Sequence, residues 1–283
     1  MGYSANPSTS HVDRSGATLA IVSFMALALY NAIELNIVIF STFRRFKGLY
    51  FWSFFAATNG IIPHSIGFLL KNVVGSHNYP IYITLVAVGW VPMVTGQSLV
   101  LYSRLHLIFW NRLYLRLVLS MIISNIITLH TPIIILMYGS NSSLHNAWVH
   151  PYVVYEKIQV TVFFLQELII SAIYIKCCFS FFNLHDSLHG DGVRRMRRHL
   201  LWVNVLVILL DIPILCLEYL DFYDMQTAYK AFVYSVKLKL EFRILNQLLE
   251  MTNERHSADP FRDSSSLQIQ HVSSASTTCQ SQG

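Results

Sequence analysis

The sequence predicts an all-α fold, a polytopic membrane protein built as a seven-transmembrane-helix bundle with its N-terminus outside and its C-terminus cytosolic. Seven apolar stretches lie between residues 17 and 249, and each reaches about the 20 residues that cross a hydrocarbon core. Apolar residues make up 54% of the chain and charged residues 12%, about half the charged share of a soluble domain. Basic residues are concentrated in alternate loops. Barrel strands are excluded, because they are shorter and alternate in polarity.

The seven stretches are joined by short polar connections and define one domain. In chain order they are 17–41, 50–70, 80–108, 115–137, 153–176, 199–219 and 226–249. Each predicts a helix, since only helices and closed barrels satisfy every backbone amide in lipid. The N-terminal tail 1–16 and the Ser/Thr-rich tail 250–283 are too short to bury a core. We expect the first to be extracellular and the second to be disordered in the cytosol.

Lysine and arginine counts in the connections predict the orientation, because cytosolic loops retain cations during insertion. One side carries only Arg14 and Lys71, and the other carries twelve such residues. The twelve are Arg44, Arg45, Lys47, Arg112, Arg116, Lys176, Arg194, Arg195, Arg197, Arg198, Arg255 and Arg262. The net charge of +5 is therefore a topology signal and does not indicate nucleic acid binding. The basic loops face either a cytosolic partner or only anionic lipid.

Two kinds of covalent modification have candidate sites. Asn141 opens an Asn-Ser-Ser pattern for N-glycosylation in the predicted outer loop 138–152. Cys177 and Cys178 lie at the cytosolic end of crossing five, where they are candidates for palmitoylation. Small apolar filling of the helix end is the alternative for both, and we favour it. Cys216 is predicted to lie in the core.

Ionisable residues inside the crossings are the strongest indication of function, since an unpaired charge at the bilayer centre costs about 2.5–3.5 kcal/mol on insertion scales. The chain has several, among which we single out Glu34, Glu167, Asp211, Lys237, Lys239 and Glu241. Lys237 and Glu241 share a helical face in crossing seven and can pair, whereas Lys239 points elsewhere. We expect at least one of the other three acids to meet Lys237 or Lys239. The result is either a packing network or a polar pocket for a ligand or ion.

Crossing three ends in Tyr102, Ser103 and Arg104. This resembles the acid-Arg-Tyr end of helix three in rhodopsin-like G-protein-coupled receptors, with Tyr102 and Ser103 displacing the acid. The likeness is partial, because crossing seven lacks Asn-Pro-x-x-Tyr and crossing six has Asp-Ile-Pro without the Cys-Trp-x-Pro pattern. Arg104 is either a switch residue or an interfacial cation that reaches the membrane surface, and we favour the second.

Patterns for enzyme chemistry or a resident cofactor are missing from the sequence. There is no glycine-rich phosphate loop and no Gly-x-Ser-x-Gly nucleophile turn. His185 and His189 have a spacing that suits zinc on a helix, but no third ligand is near and the loop is basic. We therefore expect no metal, no cofactor and no enzymatic activity.

Three stretches together resemble a family of filamentous-fungal (ascomycete) seven-helix integral membrane proteins of unknown function. They are FKGLYFWS at 46–53, YSRLHL at 102–107, and KLKLEF at 237–242 with NQL at 246–248. The resemblance covers nearly all of 17–249 and leaves out both tails. It implies a receptor-like protein of the plasma membrane and supplies no ligand.

Taken together, these features predict a receptor-like sensor embedded in the lipid bilayer. Its outer half would bind an unknown small ligand, and its basic loops would face a cytosolic signalling partner such as a heterotrimeric G protein. The alternative is a small-solute or proton-coupled carrier that uses the same buried charges as a relay. A seven-helix membrane enzyme is the third interpretation.

Overall fold

A computed structural model of the chain describes residues 7–42, 48–74, 79–108, 112–141, 145–185 and 191–257. These residues form seven helices. The helices are α1 (Pro7–Thr42), α2 (Leu49–Leu69, continued by a π-helical turn Leu70–Val74), α3 (Tyr79–Ile108), α4 (Arg112–Asn125, then a π-helical turn Ile126–His130, then Thr131–Ser140), α5 (His145–His185), α6 (Asp191–Tyr219) and α7 (Tyr223–Ser257). The predicted all-α fold is confirmed, since the described residues contain no strand.

Six of the helices are long and apolar enough to cross a membrane, namely α1 to α6. α7 does not reach that composition, because Lys230, Lys237, Lys239 and Glu241 interrupt its apolar residues. The apolar side chains point outward on many helices, with Leu19 69%, Leu117 67% and Trp202 69% exposed. This inverts the pattern of a soluble protein and matches a lipid-facing surface.

Several helices are longer than the predicted crossings. α1 begins at Pro7, inside the predicted tail 1–16, and α7 ends at Ser257, beyond 249. α5 and α6 take up most of the predicted loop 177–198, leaving only 186–190 between them. Hydropathy marks the lipid-embedded length, whereas a helix continues until a residue breaks it. The chain divides into two compact units after Glu241, and the last part of α7 belongs to the second.

Glycines bring α2 and α3 into close contact. Gly60 and Gly67 lie seven residues apart on α2, and Gly89 and Gly96 lie seven apart on α3. A Cβ placed on Gly60 would lie 2.6 Å from the carbonyl oxygen of Gly89, and one on Gly67 would lie 2.9 Å from that of Tyr82. Without a side chain the two backbones approach closely, as in other membrane helix pairs.

Polar side chains tie the other helices together. Asn31 of α1 donates to the Ser235 hydroxyl of α7 at 2.9 Å. Gln166 of α5 accepts from Asn125 of α4 at 2.7 Å and donates to Ser98 of α3 at 2.8 Å. Because lipid offers no competing partners, such bonds fix the rotation of each helix.

The π-helical turn in α4 precedes Pro132, which cannot donate to the carbonyl four residues earlier. That carbonyl belongs to Thr128, and it accepts a hydrogen bond from the Tyr155 hydroxyl of α5 at 2.6 Å. The proline is thus accommodated by a wider turn and by a neighbouring helix.

Candidate functional site

Buried polar residues recur at regular spacing on α6 and α7. On α6 they occupy every seventh position, at Asn204, Asp211 and Glu218. On α7, Lys230 and Lys237 are also seven apart. Seven residues are nearly two helical turns, a rise of about 10 Å, so these side chains stack in layers on one face.

The stacked side chains form three layers, which we call the vestibule layer, the central layer and the arginine layer. The vestibule layer contains Glu156, Glu218 and Lys230, the central layer Glu167, Asp211 and Lys237, and the arginine layer Arg104, Asn204 and Glu241. Each of the nine residues is less than a tenth exposed. We call the whole stack the charge column.

The central layer holds one ammonium between two carboxylates. Lys237 is fully buried, and its Nζ lies 2.6 Å from Oε2 of Glu167 and also contacts Oδ1 of Asp211. The Tyr234 hydroxyl donates to the other oxygen of Glu167 at 3.4 Å. The structure thus brings together Lys237 and two of the three acids considered from the sequence.

The arginine layer joins four helices. Nη1 of Arg104 lies 2.6 Å from Oε2 of Glu241, and Nη2 donates to Oδ1 of Asn204 at 2.8 Å. Asn204 in turn donates to the backbone carbonyl of Ser171 at 3.2 Å, and the guanidinium carbon lies 4.1 Å from the Tyr174 ring centroid. α3, α5, α6 and α7 therefore meet at one arginine.

Two interpretations of the charged residues in the arginine and central layers were wrong. Arg104 is only 1% exposed, so it is not an interfacial cation reaching the membrane surface. Glu241 pairs with Arg104 and not with Lys237, because Glu167 and Asp211 on the facing helices occupy the Lys237 ammonium. Tyr102 and Ser103, the two residues that precede Arg104, are also buried.

The sequence did not single out the vestibule layer. Lys230 is 8% exposed and, among the described residues, makes no hydrogen bond or direct ion pair. Glu156 and Glu218 are its electrostatic neighbours, and Oε2 of Glu218 is buried without a hydrogen-bond partner. These residues lie near the ends of predicted crossings. A charge there costs little free energy, so it does not by itself indicate a functional site. The seven-residue spacing from Lys237 and Asp211 was the usable signal.

Three adjoining cavities lead from one end of the bundle to the central layer. The first, the vestibule, has a volume of about 300 Å³ and reaches Glu156 and Glu218. The second, of about 40 Å³, shares Glu156, Tyr152 and Tyr223 with the vestibule and reaches Lys230. The third, of about 30 Å³, shares Lys230 with the second and reaches Glu167 and Asp211.

A pair of tyrosines stands between the vestibule and the second cavity. The Tyr152 hydroxyl of α5 donates to the Tyr223 hydroxyl of α7 at 3.2 Å. The vestibule itself is bordered by an ion pair of 2.6 Å between Lys157 and Asp221. The opening lies where α2, α4 and α6 end and where α5 and α7 begin. This is the end of the bundle away from the predicted cytosolic loops.

The remaining predicted charge pair lies apart from the charge column. Lys239 Nζ lies 2.6 Å from Oε2 of Glu34, with the two side chains 27% and 44% exposed. The Lys239 ammonium is also 5.4 Å from the Tyr30 ring centroid. This pair links α1 to α7 on the periphery.

The candidate modification sites have distinct surroundings. The Asn141 amide nitrogen, the atom that would carry a glycan, donates to the Met137 carbonyl at 2.9 Å, and its oxygen accepts from Tyr82 at 3.2 Å. Cys177 is half-buried and Cys178 is buried. Cys216 is exposed, so its prediction as a core residue was wrong. It lies on the opposite face of α6 from the charge column.

The predicted cytosolic basic residues are only partly described. Arg44, Arg45 and Lys47 lie outside the described residues, as does His189, and nothing is described of the side chains of Arg194, Arg195 and Arg197 or of His185. Arg198, at the beginning of α6, is exposed. Across the described part of the chain, no cluster of three or more His, Cys, Asp or Glu is arranged to hold a metal ion.

Six apolar helices with lipid-type surfaces and polar residues turned inward define a polytopic integral membrane protein in a lipid bilayer. A comparison with known protein families gives a match that covers most of the chain. The chain belongs to the family described as Domain of unknown function (DUF7703), whose match covers residues 8–262. No curated protein and no solved structure has significant similarity to it.

Proposed function

We propose that the chain crosses the membrane seven times, with its N-terminus outside, its C-terminus in the cytosol and the vestibule open to the outside. α7 is the crossing that composition alone leaves out. It is 35 residues long, and Lys237 and Glu241 face partners on other helices. The cost of charges in the bilayer is therefore offset inside the bundle. The basic residues on the opposite end support this orientation.

Within that frame, we propose a receptor-like sensor of a small polar ligand at the plasma membrane. The observation that carries the proposal is the charge column. It extends from the open vestibule to the buried arginine layer, and one helix, α7, contributes to every layer. α7 supplies Lys230, Lys237 and Glu241, one residue to each layer. A ligand that displaces α7 in the vestibule layer therefore changes the contacts of Glu241 with Arg104.

The two states of the sensor follow from the arginine layer. In the described state Arg104 holds Glu241 and Asn204, which keeps α3, α6 and α7 together. In the signalling state that contact is broken, and α6 moves away from α3 at the cytosolic end. A ligand shifts the balance only by its difference in affinity for the two states. The partner that reads the opened end is a cytosolic heterotrimeric G protein, as the helix-three resemblance implies.

The test uses the variant Glu241→Gln, which removes the ion pair of Arg104 without any ligand. Spin labels at positions 106 and 198, both exposed, report the α3 to α6 distance in a background with Cys177, Cys216 and Cys279 replaced by serine. We expect a longer distance and increased co-purification of the G protein. Glu34→Gln, which loses only the peripheral pair, is the matched control and should change neither. An unchanged distance in Glu241→Gln, with no G protein bound, contradicts the sensor.

One observation favours the carrier as a second candidate. The charge column contains five carboxylates and only three cations, so it has two more negative than positive groups. Bound protons would balance this excess, and proton relays in transporters are built from such residues. Proteoliposomes that enclose a pH-sensitive dye test this. Proton uptake that is lost in Lys237→Met and kept in Lys239→Met favours the carrier, and the absence of uptake excludes it.

A further inference from the structure

We propose that the vestibule and the cavity at Lys230 form a binding site for a small zwitterion, a molecule with one ammonium and one carboxylate. Ligand binding at this position is the input of the sensor proposed above, so the inference deepens that function and rests on it. Its chemistry rests on three independent features of the site: an unpartnered cation, an excess of carboxylates, and the size of the cavities.

Lys230 is the cation that would receive the ligand's carboxylate. Its side chain is more than nine-tenths buried, lines the second and third cavities, and makes no hydrogen bond or direct ion pair with the described residues. A buried ammonium is costly unless a partner or water solvates it. The second cavity, of about 40 Å³, holds no more than a few waters. A carboxylate that replaces them gains charge-assisted hydrogen bonds.

Glu156 and Glu218 are the groups that would receive the ligand's ammonium. Both are buried, both line the vestibule, and the buried cation Lys230 acts electrostatically on each. The rim pairs Lys157 with Asp221 and Lys71 with Asp224 are each neutral, so they do not balance the second carboxylate. Oε2 of Glu218 also lacks a hydrogen-bond partner. One ammonium would give that oxygen a donor and pair with the two carboxylates, while Lys230 pairs with the ligand's carboxylate.

The cavities limit the size of the ligand. The vestibule volume of about 300 Å³ is at the lower end of small-molecule pockets. The hydroxyl pair of Tyr152 and Tyr223 stands between it and Lys230. Trp90 and Ile133 supply apolar surface beside Lys230. The site therefore fits a molecule of the size of a free amino acid, with a short apolar side chain, and excludes lipids and long peptides.

Thermal unfolding of the full chain in nanodiscs tests the site with matched probes. The probes are the twenty standard amino acids, their carboxamides, which keep only the ammonium, and their N-acetyl derivatives, which keep only the carboxylate. We expect at least one amino acid to raise the Tm by several degrees in a dose-dependent way, because a ligand of the folded state stabilises it. The corresponding carboxamide and N-acetyl derivative should give no shift.

Variants of the charged residues give the matched controls. Lys230→Met should abolish the shift, Lys230→Arg should retain it in part, and Glu218→Gln should weaken it. Lys239→Met, which changes a lysine on the same helix outside the charge column, should leave it intact. Gel filtration of each variant separates loss of binding from loss of folding, and Lys230→Arg and Glu218→Gln keep the test valid if Lys230→Met does not fold.

Three outcomes overturn the zwitterion site: no amino acid shifts the Tm, a singly charged derivative shifts it equally, or the shift persists in Lys230→Met. The sensor fails separately. If an amino acid binds as expected but leaves the distance between labels at 106 and 198 unchanged, the binding site stands and the signalling function does not.

Discussion

Nη1 of Arg104 on α3 lies 2.6 Å from Oε2 of Glu241 on α7, and the two side chains are 1% and 0% exposed. The contact is an ion pair without aligned hydrogen-bond geometry, since neither atom has a hydrogen-bond partner. Asn204 supplies the well-aligned hydrogen bond to the same guanidinium. The pair therefore depends on mutual burial, and removing either member leaves a charge that water cannot reach.

Glu241→Leu and Arg104→Met should each destabilise the protein strongly, because each leaves one buried charge without its partner, at a cost of about 3–5 kcal/mol. The double variant should recover most of that loss, since an apolar pair of similar volume replaces the ion pair. Thermal unfolding in nanodiscs measures the cycle. Additive losses in the double variant would show that the two residues do not interact.

The central layer predicts an asymmetry between Lys237 and Asp211. Lys237→Met leaves Glu167 and Asp211 facing each other without a cation, and we expect a loss of about 3–5 kcal/mol. Asp211→Asn removes one of two carboxylates that share a single ammonium, so its Tm should be unchanged or higher. The same unfolding assay measures both. Equal losses in the two variants would contradict the arrangement of one cation between two acids.

The contact between α2 and α3 predicts a strong effect of one methyl group. In Gly60→Ala the new Cβ would meet the Gly89 carbonyl oxygen at 2.6 Å and the Met93 amide nitrogen at 2.8 Å. Both are backbone atoms, so the helices must separate, and we expect a loss of about 1–3 kcal/mol. Gly16→Ala is the control, because nothing lies within 4 Å of its Cβ. It should gain up to about 1 kcal/mol from helix propensity.

The peripheral pair predicts a small effect. Glu34→Gln and Lys239→Gln should each change the free energy of unfolding by less than about 1 kcal/mol, because both side chains are partly exposed. Raising the salt concentration should lower the free energy of unfolding of the wild type by less than about 1 kcal/mol as well. A loss comparable with that of Glu241→Leu would place the pair in the buried network instead.

The positions of the helices along the chain could be predicted from the sequence, but the rotation of each helix could not. Glu34, Glu167 and Asp211 were equally available to the lysines, and only the packed bundle assigns Glu34 to Lys239 and the other two to Lys237. Arg104 was misplaced because its depth suits an interface, while its burial depends on Glu241 and Tyr174 from other helices. A hydropathy pattern does not show how separate helices pack against one another, and that packing decides which charges meet.

Two regular spacings in the sequence nevertheless indicated which helix faces pack inward. The polar residues of α6 at every seventh position mark one face, as do Gly60 and Gly67 on α2. Applied to α7, the same spacing would have led from Lys237 back to Lys230. The π-helical turn before Pro132 had no such signal, since it depends on a hydroxyl from another helix.

The proposed seven-crossing topology depends most on α7 spanning the membrane, and labelling from one side of intact cells tests this directly. The reporters are a cysteine introduced at Phe222, an exposed residue between α6 and α7, and the native Cys279 after α7, with Cys177, Cys178 and Cys216 replaced by serine. An impermeant maleimide added outside should label position 222 at once and Cys279 only after permeabilisation. Labelling of both positions from the same side would mean that α7 does not span the bilayer, and the proposed charge column within a seven-helix sensor would be wrong.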